Sequence, residues 1–283
     1  MTAPSVVARA THPAVRAARR LRRRRERSRA GLLLVEGPNA LAEAVDQLRQ
    51  VFVSEAASDQ SRGVAERCRD AGIPVITVTD AVLATLADAE TPQGVVGVAQ
   101  RPVADLDTVT ARADLLVVLD AVADPGNAGT IIRTADAAGA DGVVLTAGSV
   151  DPTNGKAVRA SAGSLFHLPV VDGVDAGDVV DACRRAGLRL VAATPRAGNS
   201  YTDLWYTDAT AIVFGNEAHG LSAKMAAQAD VTVSVPMARS ARMGYRGHAE
   251  SLNLATTAAV VLFEIVRQRN RVERMGIDDS RAQ

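Results

Sequence analysis

Short, continuous apolar segments in the second half of the chain alternate with helical patterns. The apolar segments lie at 115–119, 142–145, 188–193, 211–214 and 231–235. The helical patterns between and after them lie at 130–138, 156–163, 176–186, 222–228 and 252–269. Strands that are apolar on both faces and separated by helices are typical of a parallel sheet covered on both sides. The sequence therefore predicts an α/β fold for this half.

The first half predicts a second, smaller α/β domain. Its predicted strands lie at 31–37, 50–54, 74–78 and 95–99, and its predicted helices at 14–30, 39–50, 59–71 and 80–87. The stretch after residue 100, with Pro102 and several Asp and Thr, is typical of a linker. The predicted organisation is a basic arm at 1–30, a small domain at 31–100, a linker at 101–113, a large domain at 114–270 and a flexible tail at 271–283.

Charge is segregated along the chain although the formal net charge is zero. Residues 1–30 hold ten arginines and one acidic residue, Glu26. Guanidinium groups grip phosphates bidentately, and each phosphate contact releases counterions. The basic arm therefore favours a nucleic-acid partner. A solvated basic helix and an organelle transit peptide are the alternatives that this pattern leaves open.

Several common classes of protein lack support. No apolar run is long enough to span a bilayer, and the N-terminus has no apolar signal region, so a cytoplasmic protein without a membrane partner is expected. Two cysteines and four scattered histidines make neither a disulfide framework nor a metal site. The loop around Gly126 and Gly129 lacks the G-x-G-x-x-G spacing, and neither a Walker loop nor a G-x-S-x-G elbow occurs.

Three polar, glycine-containing loops follow predicted strands of the large domain. They read DPGNAGTIIRT at 124–134, GNEAHGLS at 215–222, and PM at 236–237 continued by ESLN at 250–253. Ligands of open parallel sheets bind at the carboxyl ends of the strands. We therefore expect the ligand site where these loops meet.

The three loops resemble the signature motifs of the SpoU (TrmH-like) branch of the SPOUT RNA methyltransferases. The matching stretches are PGNAGTIIRTADAAGADGVVL at 125–145, VFGNEAHGLS at 213–222, and VPM at 235–237 with ESLNLA at 250–255. The segment at 151–170 is also similar to that family. LLLVEGPNALAEA and TPQGVVGVA, within residues 32–99, resemble a ribosomal-protein-like substrate-binding domain.

This resemblance implies a parallel-sheet α/β SPOUT domain with a deep trefoil knot, beside the small N-terminal α/β domain. It also implies a homodimer whose active sites use residues of both subunits. The implied reaction moves a methyl group from S-adenosylmethionine to a ribose 2′-hydroxyl of RNA, with rRNA preferred and no metal needed.

The same resemblance assigns the site residues. The implied cofactor-binding residues are Gly215, Asn216, Val235, Met237 and Leu252. The implied catalytic residues are Asn127, Arg133, Glu217, Ser251 and Asn253. Arg133 is a poor base, since guanidinium keeps its proton above pH 12, and stabilising an alkoxide or orienting a phosphate is easier. Ser251 is equally interpretable as a helix N-cap.

The expected RNA contacts are arginines of the basic arm and of two later segments. They are Arg22, Arg23, Arg24, Arg25, Arg159 and Arg246, with Ser161 as a weaker candidate. Arg246 belongs to a stretch at 238–249 that interrupts the third motif and that is longer than in most family members. It is interpretable as a basic flap, in which Tyr245 stacks on a base, or as an insertion without function.

Three other functions remain open on the sequence alone. One is a catalytically silent RNA-binding or ribosome-assembly factor that keeps the scaffold. The second is a 2′-O-methyltransferase acting on tRNA rather than 23S rRNA. The third is methylation of a base rather than a ribose.

Overall fold

The structure, a computed structural model, describes residues 6–237 and 249–281. Within these ranges the strands are Leu32–Glu36 (β1), Leu48–Ser54 (β2), Val75–Val78 (β3), Val95–Gln100 (β4), Leu115–Asp120 (β5), Gly142–Thr146 (β6), Val170–Val174 (β7), Arg189–Ala193 (β8), Asn199–Ser200 (β9), Thr210–Gly215 (β10) and Val231–Ser234 (β11). The helices are Pro13–Arg20 (α1), Arg24–Ala30 (α2), Pro38–Glu43 (α3), Asp59–Asp70 (α4), Asp80–Leu86 (α5), Leu106–Thr110 (α6), Pro125–Ala137 (α7), Gly155–Ser161 (α8), Ala176–Arg185 (α9), Ala223–Gln228 (α10) and Leu254–Arg281 (α11).

The chain divides into two compact units. The N-terminal unit contains the described residues up to Val103 together with Asp151–His167. The C-terminal unit contains Ala104–Val150 and the described residues from Leu168 onward.

The N-terminal unit is built on a four-stranded sheet in the order β1-β4-β2-β3. Strand β4 pairs antiparallel with β1 and with β2, and β2 pairs parallel with β3. Helices α1 and α5 supply Val15, Leu83 and Leu86 to a core that also contains Phe52 of the sheet. The predicted small α/β domain is therefore confirmed.

The basic arm folds as two helices rather than the single helix predicted at 14–30. Helix α1 ends at Arg20, Leu21 is buried, and α2 begins at Arg24. The Nη1 of Arg27 donates to the carbonyl oxygens of Leu21 and Arg22, each at 3.0 Å. The break is stabilised because this side chain satisfies carbonyls that would otherwise be buried without a partner.

Arg27 also forms the buried ion pair of the N-terminal unit. Its Nη2 lies 2.6 Å from Asp151 Oδ2, and its Nε donates to the Thr153 hydroxyl at 3.1 Å. Burial alone would raise the pKa of Asp151, but hydrogen bonds from Thr153 and Arg27 outweigh it and hold that pKa below its ordinary value. The pair attaches the 151–167 segment to the N-terminal unit.

This attachment changes the domain ranges expected from the sequence, which gave 151–167 to the large domain. Helix α8 lies in this segment, and its Arg159 pairs with Glu36 of β1 at 3.3 Å. These contacts arise between residues far apart in the chain, so local patterns carry no sign of them.

Other element boundaries differ as well. The helix predicted at 39–50 ends at Glu43, and a 3-10 turn at Val45–Gln47 leads into β2. The predicted linker contains α6, which begins after the N-cap Asp105, and Val109 of α6 is buried in the core of the C-terminal unit. The backbone of α11 remains helical to Arg281, through most of the range predicted as a tail.

The C-terminal unit contains a seven-stranded sheet in the order β7-β6-β5-β10-β8-β11-β9, and every neighbouring pair is parallel. Strands β5, β6 and β10 are buried along their whole length, as their continuous apolar sequences predict. The predicted parallel α/β sheet is confirmed.

Strand β10 lies between β5 and β8, where the strand order reverses direction. Strands β6 and β7 extend the sheet on one side of β5, whereas β8, β11 and β9 extend it on the other side of β10. Crevices at such reversals are the usual ligand sites of parallel sheets. The fold therefore directs attention to the carboxyl ends of β5, β10 and β8.

Candidate active site

A cavity of about 630 Å³ lies at the carboxyl ends of β8, β10 and β11. Its walls come from the ends of these strands, the loops that follow them and the start of α11. Its lining includes Thr194, Arg196, Gly215, Asn216, Glu217, His219, Val235, Met237, Glu250, Ser251, Leu252 and Asn253. The second loop, at 215–222, and the third loop, at 236–237 and 250–253, therefore meet in one cavity. The first loop, at 124–134, is joined to them by hydrogen bonds of Asn127.

The loop after β10 is closed by its own backbone. Asn216 and Gly220 exchange two backbone hydrogen bonds of 2.8 and 2.9 Å, and Gly220 has a φ of +72°. A Cβ on Gly215 would lie 2.5 Å from the carbonyl carbon of Gly220 and 2.6 Å from the nitrogen of Leu221. Only glycine therefore fits at 215, because the chain folds back against itself there.

The Asn216 side chain anchors this loop to the end of β5. Its Nδ2 donates to the carbonyl oxygen of Ala121 at 2.7 Å, and its Oδ1 accepts from the backbone N–H groups of Ala218 and His219. Ala121 has a φ of +55°, which L residues rarely adopt. The amide of Asn216 thus acts as a structural brace of the cavity wall.

Asp120 is a second anchor, and sequence reasoning missed it. The residue is 1% exposed and ends β5. Its carboxylate accepts from the backbone N–H of Ser222 at 2.7 Å and from the hydroxyl of Thr146 at 3.0 Å. A charged residue ending a wholly apolar strand was the available signal, because a buried carboxylate requires hydrogen-bond donors.

A chain of polar side chains joins the first loop to the cavity. Asn127 Nδ2 donates to Glu217 Oε1 at 2.9 Å, and Asn253 Nδ2 donates to Asn127 Oδ1 at 3.1 Å. Glu217 also accepts from the backbone N–H groups of Ala123 and Asp124. The amide of Asn127 is therefore held from both sides by residues that line the cavity.

The charge state of Glu217 follows from these contacts. Burial is the largest single effect and would raise the pKa of the carboxyl group. The hydrogen bonds from Asn127 and from the backbone of Ala123 and Asp124 together outweigh it and lower the pKa below its ordinary value. Glu217 is accordingly ionised at neutral pH and serves as a hydrogen-bond acceptor.

Asn253, rather than Ser251, is the capping residue of α11. Its Oδ1 accepts from the backbone N–H of Ala255 at 2.9 Å and of Thr256 at 3.4 Å, which are the hydrogen bonds of a helix N-cap. Ser251, which the sequence allows as a cap or as a catalytic contact, lines the cavity instead of capping the helix. One side chain, Asn253, both starts the helix and contacts Asn127.

The first loop is shorter than the sequence suggested, because α7 already begins at Pro125. The side chain of Asp124 accepts from the backbone N–H of Asn127 at 2.9 Å and caps the helix. Asn127 therefore lies on the first turn of α7 and not in a loop. Two turns later Arg133 is exposed, and it does not line the cavity of its own chain.

The five residues expected to bind the cofactor all line the cavity: Gly215, Asn216, Val235, Met237 and Leu252. Sequence reasoning missed Thr194 and Arg196, which follow β8 and line the same cavity. The Thr194 Oγ1 is buried and has no hydrogen-bond partner within the described ranges. A buried hydroxyl without a partner is costly, so the Thr194 hydroxyl marks a point of the cavity wall where a polar ligand atom would be favoured.

The arginines expected to contact RNA differ in their surroundings. Arg22 pairs with Asp88 at 3.3 Å, Arg24 lies 4.0 Å from Asp151, and Arg159 is half-buried against Glu36. Arg23 and Arg25 are exposed. Arg246 and Tyr245 lie outside the described residues. Ser161 is buried and donates to the Val158 carbonyl oxygen, so its predicted RNA contact is wrong.

No helix in the described parts of the chain combines the length and the apolar character that a membrane span requires. No three His, Cys, Asp or Glu side chains between 6 and 237 or between 249 and 281 come together in the way that metal ligands do.

Two families of known domains match this chain. The SpoU rRNA methylase family matches residues 114–263, and the MRM3-like substrate binding domain matches residues 12–97. The first match contains all three loops described above, and the second covers most of the N-terminal unit.

Characterised relatives match over nearly their whole length. The chain is 33% identical over 250 residues to the 23S rRNA (guanosine(2553)-2'-O)-methyltransferase RlmP of Bacillus subtilis, covering 87% of this chain and 93% of the relative. It is 38% identical over 255 residues to the 23S rRNA (uridine(2479)-2'-O)-methyltransferase of Streptomyces viridochromogenes, covering 87% and 86%.

Solved structures show the same architecture. The SpoU methyltransferase AviRb from Streptomyces viridochromogenes in complex with the cofactor AdoMet superposes with a TM-score of 0.79 at 34% identity, covering 92% of this chain and 100% of that one. The AdoMet-bound rRNA methyltransferase from Sinorhizobium meliloti gives 0.79 at 31% identity, covering 93% and 97%. With the parallel sheet and the cavity at its switch point, these matches establish that the chain belongs to the SpoU rRNA methylase family.

Proposed function

We propose that this protein transfers a methyl group from S-adenosylmethionine to a ribose 2′-hydroxyl of ribosomal RNA, most specifically 23S rRNA. One observation carries the proposal: the family's cofactor residues line a single cavity, and the chain Asn253–Asn127–Glu217 adjoins it. The relatives RlmP and the Streptomyces viridochromogenes enzyme are 23S rRNA 2'-O-methyltransferases by name, which favours the same reaction here.

The cavity suits S-adenosylmethionine in size and chemistry. Its volume of about 630 Å³ lies within the range of small-molecule sites. Apolar side chains of Val235, Met237 and Leu252 face it together with the backbone of the Gly215 loop, and the Thr194 hydroxyl lacks a partner. When bound, the cofactor supplies a methyl group on a positively charged sulfur that is ready to leave.

The chain's own residues contribute mainly by positioning. Glu217 is a poor general base, because its carboxylate already accepts three hydrogen bonds and its pKa is lowered. It fixes Asn127, whose amide is further held by Asn253. A polar group fixed in advance beside the reacting atoms reduces the reorganisation that a transfer step requires.

We assign to Arg133 the stabilisation of the developing alkoxide or of the target phosphate. Since its exposed side chain does not line its own cavity, we propose that it serves the cavity of a second copy in a homodimer. The buried apolar residues of α11 pack within the chain itself, whereas Phe263 is 50% exposed and is available to a dimer contact.

The proposal also covers the chain topology, the cellular location and the RNA contacts of the enzyme. The C-terminal unit is threaded as a trefoil knot, as the family resemblance implies. The enzyme acts in the cytoplasm, where ribosomal RNA is modified. The RNA contacts lie on the exposed arginines of the N-terminal unit, which corresponds to the substrate binding domain match.

Tritiated S-adenosylmethionine and unmodified ribosomal RNA test the proposal. We expect label in the RNA with the wild type, and a loss of at least tenfold in rate with Arg133→Ala and with Asn127→Ala. Calorimetry with S-adenosylmethionine separates the alternative of a silent assembly factor, which would show no binding heat. Transfer to tRNA but not to rRNA would replace the substrate and keep the enzyme class.

A further inference from the structure

A second cavity, of about 460 Å³, lies in the N-terminal unit, remote in sequence from the loops of the candidate active site. It is a groove lined by α1, α2 and residues of β1, β2 and β4. Its floor consists of Ala14, Ala17, Ala18, Leu21, Leu32 and Val98, and its polar lining includes Arg20, Glu26, Arg29, Arg49 and Gln50. We call it the arginine groove.

Two arginines of this groove have unpaired side chains. The side chains of Arg20 and Arg29 are exposed and form no hydrogen bond or ion pair within the described part of the chain, whereas Arg22, Arg24 and Arg27 have acidic partners. With Arg49 and Glu26, the charged groups around the groove sum to +2. An anion is therefore the ligand that this rim favours.

Arg49 is positioned differently from the two free arginines. Its guanidinium donates to the side chain of Gln100 at the end of β4, so one neighbour restrains it. A restrained guanidinium plane can stack on the face of an unpaired base. The groove thus combines an apolar floor, a stacking plane and two free phosphate-binding groups.

We infer that the arginine groove binds an unpaired nucleotide of the RNA substrate, with its base on the apolar floor and its flanking phosphates on Arg20 and Arg29. The inference rests on the proposed function and gives its substrate a single-stranded contact. A double helix presents phosphates but no free base, so it cannot use the floor of the groove. The apolar floor therefore predicts a preference for unpaired RNA over a duplex.

The charged part of the inference is tested with the double variant Arg20→Ala/Arg29→Ala, and Arg69→Ala is the control for loss of an exposed arginine outside the groove. Arg69 is exposed at the end of α4 in the same unit and lies outside the groove. Fluorescence anisotropy measures binding of the full chain to an unpaired RNA of about 12 nucleotides. We expect about tenfold weaker binding for the double variant, and a salt slope smaller by about 1.4, because each lost phosphate contact removes about 0.7. Arg69→Ala should bind as the wild type does.

The apolar part is tested with Ala17→Leu, which fills the groove without changing charge. Ala17 is exposed on α1, and leucine is a good helix former, so folding should persist, and thermal unfolding by circular dichroism checks this. We expect about fivefold weaker binding of the unpaired RNA with an unchanged salt slope, since the loss is of base contact alone. Binding of a duplex of equal length should not change.

The inference is overturned if the double variant binds unpaired RNA as tightly as Arg69→Ala, or if Ala17→Leu binds it as tightly as the wild type. Methyl transfer to ribosomal RNA is measured in parallel. Transfer by the wild type together with normal binding by the groove variants would reject the groove alone. Binding through the groove without any methyl transfer by the wild type would instead reject the proposed function.

Discussion

Single residues of the cavity owe their identity to contacts that only the folded chain reveals. The motif glycine at 215 is required by the backbone of Gly220 and Leu221, which approach it more closely than any Cβ allows. The motif asparagine at 216 braces Ala121, and Asn253 caps α11. Part of what resembles a ligand-binding signature is therefore the scaffold of the cavity wall.

Gly215→Ala should damage the cavity far more than an alanine at a glycine that has open space around it. The added Cβ meets backbone atoms, so the Asn216–Gly220 loop must shift. We expect at least tenfold weaker binding of S-adenosylmethionine by calorimetry. Gly198→Ala is the control, because a Cβ there meets no atom within 4 Å. Equal affinities of the two variants would contradict this account of Gly215.

Glu217→Gln should change the response of the protein to acid. The lowered pKa of Glu217 means that its ionised network stabilises the folded state above the unfolded pKa, about 4.3, and that this stabilisation is lost as pH falls through the folded pKa. We expect the glutamine variant to melt at a lower temperature than the wild type from pH 8 to about 6, and the difference to shrink below about pH 4. A difference in melting temperature that grows as the pH falls would contradict a lowered pKa of Glu217 in the folded state.

At the scale of elements, the sequence predicted most strands but misplaced the ends of helices. Continuous apolar segments located β5, β6 and β10 because a strand buried on both faces is apolar along most of its length. The start of α7 at Pro125 depends on the Asp124 cap, and the break between α1 and α2 depends on Arg27. Such contacts of a side chain with the backbone leave no periodic pattern of apolar residues in the sequence, so the helix ends could not be predicted from it.

Arg27→Ala should destabilise the N-terminal unit strongly. It removes one partner of a buried ion pair, leaves the Asp151 carboxylate with hydrogen bonds from Thr153 but no cation in hydrogen-bond contact with its Oδ2, and takes the Arg27 donor away from two carbonyl oxygens. Breaking such a pair typically costs about 3–5 kcal/mol. Urea unfolding followed by circular dichroism measures the free energy of unfolding. Arg24→Ala is the matched control, since this exposed side chain lies 4.0 Å from the same carboxylate and should contribute less than about 1 kcal/mol.

In the molecule as a whole, one segment belongs to a different unit from the segments that flank it in the chain. Residues 151–167 follow β6 in the chain yet belong to the N-terminal unit, through Asp151 and Arg159. The family resemblance predicted the fold and the cavity because the three motifs are local. It did not predict that residues 151–167 belong to the N-terminal unit, because the contacts that hold them there join residues separated by more than a hundred positions.

We propose that the cavity beside Asn127 supports methylation of a ribose. Mass analysis of alkali-resistant dinucleotides from 23S rRNA, treated with the enzyme and S-adenosylmethionine, distinguishes this reaction from methylation of a base. A 2′-O-methyl group blocks alkaline cleavage, so we expect a methylated dinucleotide with the wild type and its loss with Asn127→Ala. Methyl groups found only on bases, or no methyl incorporation at all, would contradict it.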